Sequence, residues 1–185
     1  KFIPISKSSL EQNHFKGGKD MISIYARKNA HKNVFSGKNL SVSGTFDKNS
    51  SGVMVGDLSS VLLLNLPAWV QNNRLPSIEL SILTDWESKI NQISTEIIDQ
   101  NISSLSGVPS WNLILLKQVL QKSGAANLQE LWPNFQLYMH GGVNFEPYRK
   151  RFEDIIGPKS FTFLETYNAS EGFFAIQDQL DKDSK

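Results

Sequence analysis

From about Ile78 to Tyr167, short apolar stretches alternate with longer amphipathic ones, separated by only a few turn residues. "SIELSIL" has strand character. "TDWESKINQISTEIIDQN" then sets Trp86, Ile90, Ile93 and Ile97 on one helical stripe behind a capping Thr84 or Asp85. "ISSLSGV" predicts a strand, and Pro109 opens the helix "PSWNLILLKQVLQKSG", which Gly124 stops. "NFQLYMHGG" predicts a strand ending in a glycine turn, "FEPYRKRFEDIIG" the helix behind it, and "KSFTFLETY" a further strand. Strands separated by helices pair in parallel, because the connection must carry the chain back to the same end of the sheet. The pattern therefore specifies an α/β fold, a mainly parallel sheet flanked by helices.

Upstream the pattern is looser. Leu10, Phe15, Met21, Ile22 and Tyr25 recur at helical spacing between Ser8 and Ala30. Turn residues then flank an alternating Leu40–Val42 stretch, which reads as a short strand or hairpin. The longest apolar run, Val61 to Val70, is interrupted by Asn65 and Pro67 and is far shorter than the roughly 20 residues of a membrane span. It reads as a buried segment. The opening "KFIPISKSSL" lacks a start Met and a long apolar stretch, so it is not a signal peptide, and a cytoplasmic location is expected.

Composition removes several function classes. A formal net charge of +1 over 185 residues gives no electrostatic reason to expect nucleic acid or an anionic membrane as partner. The absence of cysteine excludes disulfides, a Cys zinc site and a thiol nucleophile together. His14, His31 and His140 show no paired metal spacing. "GGKD" and "SGKN" lack the flanking residues of a phosphate loop, and no G-x-S-x-G nucleophile elbow is present. The Asn-x-Ser triplets, "NAS" at Asn168 among them, arise readily in a chain rich in Asn and Ser.

Ligands of open parallel sheets bind beyond the carboxyl ends of the strands. Two strand ends carry informative residues. One closes with His140-Gly141-Gly142-Val143, the other with Thr166-Tyr167-Asn168-Ala169-Ser170-Glu171-Gly172. On neighbouring strands these loops would share a rim. Glycine lets a backbone approach a ligand closely, an aromatic ring can stack on a base, a serine can donate to a phosphate oxygen, and a carboxylate suits Mg²⁺. By spacing alone, a Gly-Gly pair is more often a plain turn and a Ser-Glu pair very often a helix start.

Taken together, "LYMHGGVNFEPYRKRF" and "LETYNASEGFFAIQD" resemble the auxin-responsive promoter family of acyl-acid amido synthetases, in a bacterial, Bacteroidetes-like form. These are adenylate-forming enzymes. The resemblance extends over "GDLSSVLLLNLPAW" and "SLSGVPSW", with "YNASEGFF" its most specific block. It implies that Tyr167 packs against adenine beside Gly141, Gly142, Val143 and Thr166. It further implies that Ser170 contacts the α-phosphate region, that Glu171 holds Mg²⁺, and that Gly107, Val108, Pro109 and Trp111 lie nearer the acyl substrate. Ser170 and Glu171 would be the catalytic pair.

The implied chemistry has two steps: a carboxylate and ATP give an acyl-adenylate and pyrophosphate, and an amine, an amino acid in this family, then takes the acyl group. Gly172 stands where plant relatives usually carry Cys, so their hormone-type substrates do not transfer. The resemblance also implies that residues 1–185 are the central portion of the large N-terminal adenylation domain. The first and third nucleotide motifs and the C-terminal domain would lie outside them, leaving the piece at best weakly ATP-binding and without amide-forming turnover. The alternatives are a non-catalytic α/β ligand-binding domain and an acyl-CoA-type thioester ligase.

Overall fold

The computed structural model describes residues 2–30 and 33–179; His31 lies outside them. Helices α1 (Lys7–Ser9) and α2 (Phe15–Lys28) are joined without a break by one wide π-turn, Leu10–His14. Strand β1 (Lys38–Ser41) follows, then a separate antiparallel hairpin of β2 (Phe46–Lys48) and β3 (Met54–Gly56). Helices α3 (Leu58–Leu64) and α4 (Ala68–Gln71), strand β4 (Arg74–Leu75) and helix α5 (Ile78–Ser81) complete the first half. The regular half contains α6 (Trp86–Ile97), β5 (Ile102–Gly107), α7 (Pro109–Ser123), α8 (Leu128–Leu131), β6 (Leu137–Gly141), α9 (Glu146–Ile156), β7 (Thr162–Ala169) and β8 (Gly172–Ile176).

The sheet runs β4-β1-β5-β6-β7-β8, parallel throughout except for the antiparallel β7–β8 pair. This is the mainly parallel, helix-flanked α/β arrangement specified by the sequence. Local chemistry explains its best-defined helices. The Asp85 carboxylate accepts the Ser88 amide at 2.8 Å and caps α6. Pro109 stands in the first turn of α7, and Gly124 ends that helix at φ 72°.

The larger apolar core joins Ile90, Ile93 and Ile97 of α6 to Leu115, Leu116 and Val119 of α7 and to Tyr138 and Phe163 of the sheet. A smaller one sets Tyr25 of α2 against Leu137, Met139 and Leu164. Alternate residues of β6 thus serve opposite faces, as the pleat requires. No helix among the described residues is long and apolar enough to cross a membrane.

Three sequence expectations change. "SIELSIL" is the short helix α5 and not a strand, because β4 has already taken the edge beside β1. The Val61–Val70 run forms parts of α3 and α4 and is only partly buried: Leu63 is inside while Trp69 is 64% exposed. Third, Tyr167 does not end its strand: pairing continues to Ala169, and Ser170–Glu171 turn the chain back into β8.

The buried Lys89 ties this first half to the second. Its ammonium donates to the carbonyls of Ser81 at 2.6 Å, Ser43 at 2.7 Å and Gly44 at 3.4 Å. Burial lowers its pKa, against the opposing pull of Asp57.

Candidate functional site

Strands β5, β6 and β7 end on one side of the sheet. Gly107 is registered with His140, His140 with Glu165, and Gly141 with Thr166. Both sequence-predicted loops therefore share one rim, with Gly141 one residue from the level of Tyr167. Only glycine fits at 141: a Cβ there would lie 2.4 Å from the Thr166 carbonyl oxygen. The next residue, Gly142, has φ +84°, a conformation that L side chains rarely adopt. The Thr166 hydroxyl donates to the His140 carbonyl at 3.1 Å and fastens the two strand ends together.

The β5–α7 loop reaches the same rim. A Cβ on Gly142 would lie 3.5 Å from Val108 Cγ2, so Gly107, Val108 and Pro109 adjoin the glycine turn. Trp111 is half-buried in the first turn of α7 and packs on Trp86 at the start of α6, ring centres 5.6 Å apart. Val143 is exposed beyond the turn.

On the far side of the rim Tyr167 is 61% exposed, its ring centre 5.2 Å from that of Phe174 on β8. Ser170 is half-buried and Glu171 exposed, both at the hairpin turn. The Ser-Glu pair is thus neither a helix start nor an open loop. Among the described residues no group of three His, Cys, Asp or Glu side chains could hold a metal ion. A single exposed carboxylate fits the way Mg²⁺ is usually held, by one or two carboxylates, waters and substrate phosphates.

Sequence reading missed what lies beneath the glycine turn. The Tyr138 hydroxyl donates to the Gly107 carbonyl at 3.0 Å, and the Asn112 amide donates to Tyr138 Oη and to the Ser106 carbonyl, each at 3.2 Å. Burial raises the Tyr138 pKa, partly offset by the Asn112 bond. His140 is 2% exposed and stacks on Phe145 at 3.8 Å; its Nδ1 has no hydrogen-bond partner. Burial, and then the nearby Arg149 charge, push its pKa down to about 4. The signal available was the alternation of Tyr138 and His140 along β6, which puts both on one face. An open depression on the outer face of α7, lined by Ile114, Lys117, Gln118, Gln121 and Lys122, shares no residue with this rim.

Fold and rim together define an open α/β protein whose strand ends present a glycine turn beside an exposed tyrosine. The GH3 family N-terminal domain matches residues 1–161, and the chain belongs to this family, the auxin-responsive promoter family its motifs resemble. The Tyr167–Gly172 block lies beyond the matched span. A solved structure described as a GH3.15 acyl acid amido synthetase matches 95% of the chain with a TM-score of 0.69 at 15% identity, and therefore shares its fold. The chain covers 40% of that structure's length. A comparison with curated protein sequences found no match.

Proposed function

We propose that these residues are the central portion of the adenylation domain of an ATP-dependent acyl-acid amido synthetase, bacterial and cytoplasmic. The enzyme activates a small-molecule carboxylate as its adenylate and passes the acyl group to an amino acid. Family membership and the shared fold support this reading. The observation that carries it is the pairing of Gly141 with Thr166, which sets a closely packed glycine turn beside an exposed aromatic ring.

In this reading Gly141, Gly142 and Val143 supply main chain along one edge of the adenine, Thr166 keeps the two strand ends together, and Tyr167 packs on its face. Ser170 donates to the α-phosphate region. Glu171 would hold Mg²⁺, which when bound neutralises phosphate charge. Gly107, Val108, Pro109 and Trp111 form the wall toward the carboxylate. Fixing the adenine and the carboxylate on one rim aligns the attacking oxygen with the α-phosphorus, and that alignment is the main contribution of position to rate.

Pyrophosphate release by the complete protein, across a panel of carboxylates, tests the proposal. Release that depends on ATP and on one class of carboxylate is expected, with a loss of at least about a hundredfold in Glu171→Ala, the size seen when transition-state charge loses one stabilising group. Weighing the product formed with amino acids or with CoA separates amide from thioester. Binding of ATP without pyrophosphate release would replace the enzyme with a ligand-binding domain.

A further inference from the structure

The N-terminal helical segment departs from α geometry at one place, Leu10–His14, where the Phe15 amide donates to the Leu10 carbonyl five residues back. Successive side chains of an α-helix point about 100° apart. A wider turn narrows that angle, and here two consecutive residues face the same neighbour. The neighbour is the β7–β8 hairpin. The Asn13 side-chain amide donates to the Phe173 carbonyl at 3.2 Å, and its oxygen accepts from the Phe173 main-chain amide. His14 Nδ1 lies 3.0 Å from Asn168 Oδ1. Phe173 and Asn168 are a cross-strand pair, so Asn13 and His14 grip both strands at one level. One turn further along, Gly17 admits the Phe173 ring; a Cβ there would lie 2.6 Å from it.

Three details give this grip a purpose beyond packing. His14 is 3% exposed, and its Nε2 is buried without a partner. An apolar side chain would avoid that desolvation cost, so the bond to Asn168 is what the imidazole contributes. The β7–β8 register slips between Tyr167 and Asn168, and such irregularities re-aim the side chains beside them. His14 holds the residue immediately after the slip. We propose that Asn13 and His14 are positioning residues that lock this irregularity and so fix the angle at which Tyr167 and the Ser170–Glu171 turn meet a nucleotide. The proposal rests on the nucleotide reading of the rim; both residues act through Asn168 and Phe173.

The test is amide hydrogen exchange of the complete protein read at residues 167–174, with ATP affinity measured in parallel. His14→Leu removes the donor to Asn168, and His14→Asn keeps one within reach of it. Exchange across the hairpin should rise about tenfold in His14→Leu, with a similar loss of ATP affinity and no change across α7 and α9. His14→Asn should recover both to within about threefold of wild type. Asn13→Ala moves both readouts in the same direction and stands in if His14→Leu fails to fold. Unchanged hairpin exchange alongside normal ATP binding overturns the positioning role alone, as does a His14→Asn protein no better than His14→Leu. Wild-type protein that binds no ATP overturns the nucleotide reading and the positioning role with it.

Discussion

The two halves of the rim are built on opposite principles. At the ends of β5 and β6 the polar and aromatic groups engage one another: Tyr138 bonds Gly107, Asn112 bonds Tyr138, and His140 stacks on Phe145. At the end of β7 and the start of β8 Asn168 and Phe173 are held from behind by Asn13 and His14, while Tyr167 and Phe174, both more than half exposed, and Glu171 at the turn face water. The first half fixes where main chain lies. The second half offers side chains to whatever arrives. A rim of this kind has a wall whose mutation is felt as stability and a face whose mutation is felt as binding.

That division can be broken experimentally. Tyr138→Ala empties the centre of the aromatic cluster and should cost about 3–5 kcal/mol in chemical denaturation, roughly a 10 °C fall in Tm. A loss below about 1 kcal/mol would show that the wall is not the anchored half.

Acid should expose the same half. Between pH 6.5 and about 4 the unfolded chain takes up a proton at His140 that the folded chain refuses, so stability falls as pH drops through that window. The expected change is at most about 3 kcal/mol, and His140→Phe should flatten it. A His140→Phe protein with an undiminished acid slope would place the titrating group elsewhere.

On the exposed half, Tyr167→Ala should leave stability within about 0.5 kcal/mol while weakening ATP binding by about tenfold or more, the scale of one lost base–aromatic stack. Calorimetry on the complete protein reads both quantities. Destabilisation as large as that of Tyr138→Ala would erase the contrast.

The regular half of the fold was legible because its signals are local. Asp85, Pro109 and Gly124 stand where caps and stops belong, and the Ile90–Ile93–Ile97 stripe needs only helix periodicity. "SIELSIL" misleads because Ile78, Leu80 and Ile82 alternate as a strand would, while bonds to residues outside the stretch hold it in place. The Ser81 hydroxyl receives Arg74, and its carbonyl receives Lys89. The hairpin was missed for a related reason. Ser170–Glu171 carries none of the Asn-Gly or Asp-Gly chemistry that announces a two-residue turn, and the strands on either side of it are bonded to Asn13 and His14, some 150 residues upstream. Of the rim, the glycines and Tyr167 were visible as residue types. The support under them was not, because Asn112, Tyr138 and Gly107 meet only once β5 and β6 are aligned side by side and α7 is packed against them.

The three carbonyls around Lys89 also bear on how this chain can vary. The segment after β1 stands in for water around a sequestered cation, so an inserted or deleted residue at 42–44 would strip that charge of its hydration. Length changes belong instead at the Asn49–Gly52 tip of the first hairpin, where every bond is made within the turn itself.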